Sequence, residues 1–146
     1  MNGSMTVSIC CLTYNHEKYI RQCLDGLIMQ KTEFDFEILV HDDASSDATQ
    51  SIINEYVVAY PNLIKPILQI RNQYSQGISP LRQILFPLVK GKYVALCEGD
   101  DYWTDPLKLQ KQVDFLENHP DYSLCCHMVR RINQQTGEEL KSDYIS

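Results

Sequence analysis

The feature that most constrains the fold of this chain is a repeated alternation between two hydrophobic periods. Short, mostly apolar runs such as Val7 to Leu12 are typical of buried strands. The segments between them place apolar residues one helical turn apart, as at Ile20, Leu24 and Leu27. Strands that alternate with helices at this spacing indicate a mainly parallel sheet with right-handed crossovers and helices on both faces. The sequence therefore predicts an α/β fold.

The same patterns predict the order of the elements along the chain. Strands are predicted over 7–12, 36–41, 63–70, 93–97 and 122–129, and helices over 20–28, 45–57, 80–89 and from Asp105 onward. Pro66 indicates an edge or irregular position for the third strand, and Pro87 should end or kink the third helix. We expect one domain over 1–146, whose polar tail, 133–146, is either poorly ordered or the start of a further element.

Composition limits the partners and the compartment. The chain has 19 acidic and 13 basic residues, with a net charge of −6, which argues against nucleic acid or an anionic membrane as a partner. No apolar run approaches the roughly 20 residues that span a bilayer, and no secretory signal is visible. The six cysteines include the doublets Cys10-Cys11 and Cys125-Cys126, a poor arrangement for disulfides or zinc. Reduced thiols packed in a core predict a cytoplasmic protein.

Polar side chains follow three of the predicted strands. The first strand runs into Thr13 to His16, the second into His41 to Ser45, and the fourth into Glu98 to Asp101. Ligands of open α/β sheets bind beyond the carboxyl ends of the strands. We therefore expect these three loops to share one edge of the sheet and to form a site there.

Acidic residues dominate two of these loops. Single acids at helix starts, such as Asp47 and Asp105, are explained by capping. The doublet Asp42-Asp43 exceeds what one cap requires, and the stretch from Glu98 to Asp101 exceeds it further. Oxygen-only ligands indicate Mg²⁺ or Mn²⁺. Gly99 would leave the backbone free to turn sharply between the acids.

Other residues near these loops allow a functional or a structural interpretation. Tyr14 could stack on a planar base or pack locally, and Arg82 could meet phosphate or lie in solvent. Tyr102 and Trp103 could form a wall for a ligand or cover the core. Structural or surface roles are predicted for all four histidines. The glycines form neither a dinucleotide fingerprint nor a P-loop, so a bound phosphate would have to rely on metal.

Three stretches in this order resemble the amino-terminal part of family-two glycosyltransferases with the GT-A fold. They are Val7 to Asn15, Phe36 to Asp47 and Gly91 to Asp101, and Arg82 lies at the position of a further family element. The likeness extends over residues 6–130. Glu98, Ala44 and Gln83 stand where the family usually has Asp, Gly and Asn.

The resemblance implies a nucleotide-sugar donor, commonly a UDP-sugar, inversion at the anomeric carbon and a role in polysaccharide biosynthesis. Tyr14 would pack against the base, and Asp43, with Asp42 beside it, would accept a hydrogen bond from the ring N–H of the base. The implied nucleotide-sugar-binding residues are Thr13, Tyr14, Asn15, Asp42, Asp43, Arg82 and Asp100.

The resemblance also implies the metal site and the limits of this chain. Asp101, with Asp100 and Glu98, would hold Mn²⁺ or Mg²⁺ against the diphosphate. The general base and the region that binds a saccharide or lipid-linked acceptor are expected beyond Ser146. We therefore expect a fragment that binds UDP with Mn²⁺ and transfers little sugar. The full-length protein would be cytoplasmic, with a peripheral position at the inner membrane face left open.

Two other functions compete with this interpretation. A phosphoacceptor signalling module also gathers acids at strand ends, but it needs its acidic pair after the first strand, where this chain has Thr13-Tyr14-Asn15. The second is a GT-A-like domain that only binds its ligand.

Overall fold

A computed structural model describes residues 5–140, and its centre is a parallel sheet. The four strands are β1 (Val7–Thr13), β2 (Phe36–Asp42), β3 (Ile64–Leu68) and β4 (Tyr93–Glu98), in the order β3-β2-β1-β4. All three neighbouring pairs are parallel. The predicted parallel α/β architecture is confirmed, and β3 is an edge strand, as Pro66 indicated.

The strand order explains which face each helix covers. The α-helices are α1 (Ile20–Ile28), α2 (Thr49–Ala59) and α3 (Lys108–Asn118). From β1 to β3 the chain moves in one direction across the sheet, so right-handed crossovers place α1 and α2 on the same face. The step from β3 to β4 reverses direction and carries short helical turns to the opposite face. Helices therefore cover both faces, as predicted, although the α-helices pack on only one.

The predicted helix over 80–89 is instead two short helical turns. A π-helical turn, called the wide turn below, spans Pro80–Leu85, and a 3₁₀ turn spans Phe86–Leu88. Pro87 has no N–H to continue an α-helical ladder, which accounts for the change at this point.

Two apolar cores hold the sheet between these layers. The main core joins β1, β2 and β4 to the three α-helices, and its fully buried members include Ile9, Leu24 and Ile53. The smaller core packs Leu85 of the wide turn against Cys10 and Leu39 on the other face of the sheet. The wide turn is thereby fixed beneath the carboxyl edge of the sheet.

The cysteines are reduced, as predicted, and four of the six are buried. Cys23 Sγ lies 3.8 Å from Cys11 Sγ and 3.9 Å from Cys97 Sγ. Its contact with Cys11 raises the pKa of the Cys23 thiol, and burial raises that of Cys10 to about 11. The prediction of core packing is wrong for Cys126, which is exposed.

Trp103 covers the core, which decides between the two interpretations given above. Its side chain is buried, and Lys108 Nζ lies 4.0 Å from the centre of its ring. A Cβ added at Gly26 would lie 2.8 Å from the carbonyl oxygen of Trp103, so α1 needs a glycine at this contact.

Residues 114–140 form a second compact unit. The predicted strand over 122–129 is wrong, because this segment has no regular structure and Leu124 and Met128 are exposed. The unit instead contains an antiparallel hairpin of β5 (Arg131–Ile132) and β6 (Glu139–Leu140). The hairpin includes residues 133–140 of the predicted tail, and 141–146 lie outside the described residues. No helix within residues 5–140 is long and apolar enough to cross a membrane.

Candidate functional site

The carboxyl ends of β2, β1 and β4 lie side by side and enclose a cavity of about 300 Å³. Leu12 pairs with both His41 and Glu98 in the strand register, so these three side chains form a row on one face of the sheet. We call this row the cavity floor. The cavity is lined by Leu12, Thr13, Tyr14, His16, His41, Asp43, Tyr74, Ser79, Pro80, Leu81 and Glu98.

Asp42 stabilises the loop after β2 (residues 43–48, the β2 loop) and does not line the cavity. Its side chain is fully buried, and Oδ2 accepts hydrogen bonds from the Ser45 amide at 2.9 Å and from Gln50 Nε2 at 2.6 Å. The Ser45 hydroxyl donates to Oδ1. Both carboxylate oxygens therefore accept hydrogen bonds from the β2 loop or from the first turn of α2.

Asp43 lines the cavity and ties the segment after β3 to the sheet. It is 5% exposed, its Oδ1 accepts from the Gln73 amide at 2.7 Å, and its Oδ2 accepts from the Tyr74 amide at 3.0 Å. A carboxylate has about four lone-pair sites, so each oxygen can accept a second hydrogen bond. The structure thus separates the two neighbouring aspartates, and Asp43 is the one that lines the cavity.

The end of β1 and the loop after it (residues 13–19, the β1 loop) also contain both residues that line the cavity and residues that do not. Thr13 is buried in the cavity lining, and Tyr14, at 47% exposed, lies at its rim. Asn15 is not part of the lining. Its Oδ1 accepts from the Ser46 amide at 2.8 Å, and its own amide donates to the Ser45 hydroxyl at 2.8 Å. Asn15 therefore joins the β1 and β2 loops.

Ala44 has a φ of 62°, in the left-handed region that favours glycine. The turn between the Asp42-Asp43 doublet and Ser45 requires this conformation. A residue with a Cβ pays about 1–2 kcal/mol in this region. The hydrogen bonds around Asp42 compensate for the strain.

We expect Ala44→Gly to raise the free energy of unfolding by about 0.5–1 kcal/mol. The relief of left-handed strain exceeds the entropy that glycine adds to the unfolded chain. Urea denaturation measures the change. Ala48→Gly is the matched control, because Ala48 has a φ of −77° and the same change there should be destabilising. A loss of stability in Ala44→Gly would contradict the prediction.

The acidic loop, Glu98 to Asp101, packs directly against the β1 loop. The Gly99 amide donates to the Leu12 carbonyl at 2.7 Å. A Cβ at Gly99 would lie 2.7 Å from Thr13 Oγ1 and 2.8 Å from His16 Nδ1. Gly99 is not among the left-handed glycines of residues 5–140. The chain does turn sharply here, as expected, because the Asp101 amide donates to the Glu98 carbonyl at 3.0 Å. The turn does not use a left-handed φ, so the close contacts with Thr13 and His16 are what require a glycine.

The acids fit a metal that is shared with substrate phosphates. Glu98 lines the cavity, Asp100 and Asp101 are exposed, and Asp100 Oδ2 lies 3.8 Å from His16 Nε2. Within residues 5–140 no three His, Cys, Asp or Glu side chains form a metal-binding group. Mg²⁺-type sites usually take one or two carboxylates and fill the remaining positions with water and phosphate oxygens. The donor set suits such an open site and not a closed protein cage.

Arg82 lies beside the cavity but does not line it. It is exposed, and the described contact of its amide is with the Ser79 hydroxyl at 3.4 Å. The neighbours that line the cavity from the same turn are Ser79, Pro80 and Leu81.

Buried polar atoms without a partner are concentrated in this cavity. Among the described residues they are Thr13 Oγ1, His16 Nδ1 and both ring nitrogens of His41, and all three residues line the cavity. Burial lowers the pKa of His41, against the opposing charges of Asp43 and Asp42, so the ring is neutral at pH 7. Structural or surface roles were predicted for every histidine, and the structure shows that two of them, His16 and His41, line the cavity. The signal in the sequence was a polar residue inside an apolar strand.

The fold is that of the GT-A glycosyltransferases. The chain is similar to S. aureus TarS 1-349 in complex with UDP-GlcNAc, with a TM-score of 0.66 and 30% identity over 80% of this chain and 32% of that one. Its similarity to the mannosyltransferase PcManGT from Pyrobaculum calidifontis, in complex with GDP-Man and Mn²⁺, has a TM-score of 0.66 at 21% identity, covers 79% of this chain and 33% of that one, and shows the fold alone.

The chain belongs to glycosyl transferase family 2, whose family model matches residues 8–144. An uncharacterized protein of Mycobacterium tuberculosis is 47% identical over 91% of this chain and 38% of its own length. The UDP-Glc:alpha-D-GlcNAc-diphosphoundecaprenol beta-1,3-glucosyltransferase WfaP of Escherichia coli is 32% identical over 76% of this chain and 41% of its own length. The chain thus spans less than half the length of these relatives.

Proposed function

We propose that this chain is the donor-binding part of an inverting glycosyltransferase that uses a UDP-sugar. The observation that carries the proposal is the cavity at the strand ends, where Tyr14, Asp43 and Glu98 meet around buried polar atoms without partners. Such atoms cost free energy unless a ligand or water supplies hydrogen bonds. Membership of glycosyl transferase family 2 supports a nucleotide sugar as that ligand.

The residues around the cavity suit a uridine nucleotide. The free lone pairs of Asp43 suit a ring N–H, and Tyr14 at the rim offers an aromatic face to the base. The solved relative with 30% identity is a complex with UDP-GlcNAc, and the E. coli relative is named for UDP-Glc, which supports uridine. Arg82, next to the cavity, would act near the nucleotide. Thr13 would line the base or the ribose.

Asp101 and Asp100, with Glu98, would hold Mn²⁺ or Mg²⁺ beside the diphosphate. A metal there would neutralise the charge that develops on the leaving diphosphate. The acceptor, a saccharide or lipid-linked sugar, and the general base stay predictions. A cytoplasmic site of action stays a prediction as well.

Titration calorimetry with UDP tests the proposal. We expect binding that is at least about 100-fold tighter with Mn²⁺ than after EDTA treatment, equivalent to about 2.7 kcal/mol. Absence of UDP binding with and without metal would refute it. Transfer assays with UDP-sugars are expected to show little or no sugar transfer by this chain, and robust transfer would contradict that expectation. A phosphoacceptor module would be labelled by acetyl phosphate, and no labelling is expected.

A further inference from the structure

His41 is the most completely buried of the cavity residues whose polar atoms lack partners. Its side chain is 0% exposed, and neither ring nitrogen has a hydrogen-bond partner. It lies on the cavity floor, one strand away from Leu12. A buried imidazole that is unpaired at both nitrogens is costly, so its retention indicates a partner that arrives with the ligand.

The neighbouring carboxylates do not supply that partner. Asp42 is committed to Ser45 and Gln50, and the described hydrogen bonds of Asp43 go to the amides of Gln73 and Tyr74. The hydrogen bonds of the histidine are therefore available to a molecule inside the cavity. A neutral imidazole offers one N–H donor and one nitrogen acceptor.

The position of His41 indicates which end of the ligand it meets. His41 directly precedes the Asp42-Asp43 doublet on β2, on the side of the cavity proposed for the base. Glu98, at the opposite end of the floor row, is two strand spacings away, about 10 Å. The acids proposed for the metal and the diphosphate follow Glu98. His41 therefore lies at the end of the cavity that the base would occupy.

We propose that His41 is a specificity-determining residue that donates a hydrogen bond to the O4 carbonyl oxygen of a uracil base. This proposal rests on the proposed function. Uracil presents a ring N–H between two carbonyl oxygens. A carboxylate at Asp43 suits the N–H, and a donor beside it suits the adjacent oxygen. Cytosine has an acceptor nitrogen in place of that N–H and an amino group in place of one oxygen, so the pair would favour uridine over cytidine nucleotides.

A structural role for His41 predicts a different response to mutation. If the imidazole only filled space, leucine would serve, and nucleotide preference would not change. If the imidazole gains its hydrogen bonds only when a ligand binds, His41→Leu removes an unpaired polar group from the free protein. The thermal midpoint of the free variant should then equal that of the original chain or exceed it by a few degrees. The same change should weaken UDP binding.

The experiment is titration calorimetry of the original chain and His41→Leu with UDP and CDP in Mn²⁺, together with thermal unfolding of both. We expect His41→Leu to bind UDP about tenfold more weakly, the value of one hydrogen bond of about 1.4 kcal/mol. CDP binding should change by less than about twofold. His41→Asn, which keeps a side-chain donor, should recover part of the UDP affinity.

Thio-substituted UDP provides a second measurement, whose first arm uses only the original chain. Sulfur is a weak acceptor, so 4-thio-UDP should bind the original chain more weakly than UDP, and His41→Leu should show no such difference. Equal losses for UDP and CDP, or UDP affinity within about twofold of the original chain, would overturn the role of His41 and leave the proposed function standing. Failure of the original chain to bind UDP would overturn both.

Discussion

Replacement of Asp101 by alanine is expected to lower UDP affinity in Mn²⁺ by at least about 100-fold, or 2.7 kcal/mol. The residue is exposed at the end of β4, where its carboxylate can be shared with phosphate oxygens. Its backbone amide donates to the Glu98 carbonyl at 3.0 Å, a contact that alanine preserves. The acidic loop should therefore keep its shape, and the thermal midpoint should stay within about 3 °C.

Calorimetry with and without EDTA distinguishes this effect from a general loss of binding. In Asp101→Ala, UDP affinity should no longer respond to Mn²⁺, and the weak metal-free binding should persist. Asp35→Ala is the matched control, because Asp35 is also an exposed aspartate but directly precedes β2, at the amino edge of the sheet. Equal affinity in Asp101→Ala and the original chain would remove Asp101 from the site and direct the search to Asp100.

Asp42→Ala is expected to lower the free energy of unfolding by about 3–5 kcal/mol. The buried carboxylate accepts hydrogen bonds from the Ser45 amide, the Ser45 hydroxyl and Gln50 Nε2. Bonds to a charged acceptor contribute about 1.5–3 kcal/mol each, and alanine leaves all three donors without it. Ala44 would also lose the contacts that hold its left-handed conformation.

Urea denaturation of Asp42→Ala measures this loss. Asp42→Asn, which keeps one acceptor oxygen, should lose about half as much. A loss below about 1 kcal/mol in Asp42→Ala would mean that the carboxylate is not what holds the loop, and a direct role for Asp42 toward the nucleotide would regain support.

The sequence predicts the sheet well because the spacing of apolar residues along the chain reflects which side chains are buried. The strands that begin at Val7, Phe36 and Tyr93 were each bounded by polar residues, and the structure confirms them. The segment from Tyr122 to Val129 has the same apolar character but no strand partner among the described residues. An apolar run predicts a need for burial and does not identify the strand that would provide it. Strand pairing is a long-range property that local pattern does not contain.

The sequence predicts where the candidate site lies but not which of its residues line the cavity and which stabilise the loops. Polar strand ends identified the cavity correctly, since parallel strands end at one edge of the sheet. The separation of Asp42 from Asp43 depends on which donors the loops bring close, and no single position in the sequence specifies that. Sequence reasoning did not single out His41, because an isolated histidine in a strand carries no spacing signal. Its meaning depends on two unpaired nitrogens inside a cavity.

The hydrogen bonds that join the loops also affect the thermodynamics of association. The β1 loop is tied to the β2 loop through Asn15 and to the acidic loop through the amide of Gly99. These contacts form within the protein alone, so a ligand need not order the loops when it binds. Association then avoids the loss of about 0.5–1.5 kcal/mol that each newly immobilised side chain would add. The entropy of ordering the pocket is thus lost during folding, and most of the contact energy with the proposed nucleotide would contribute to affinity.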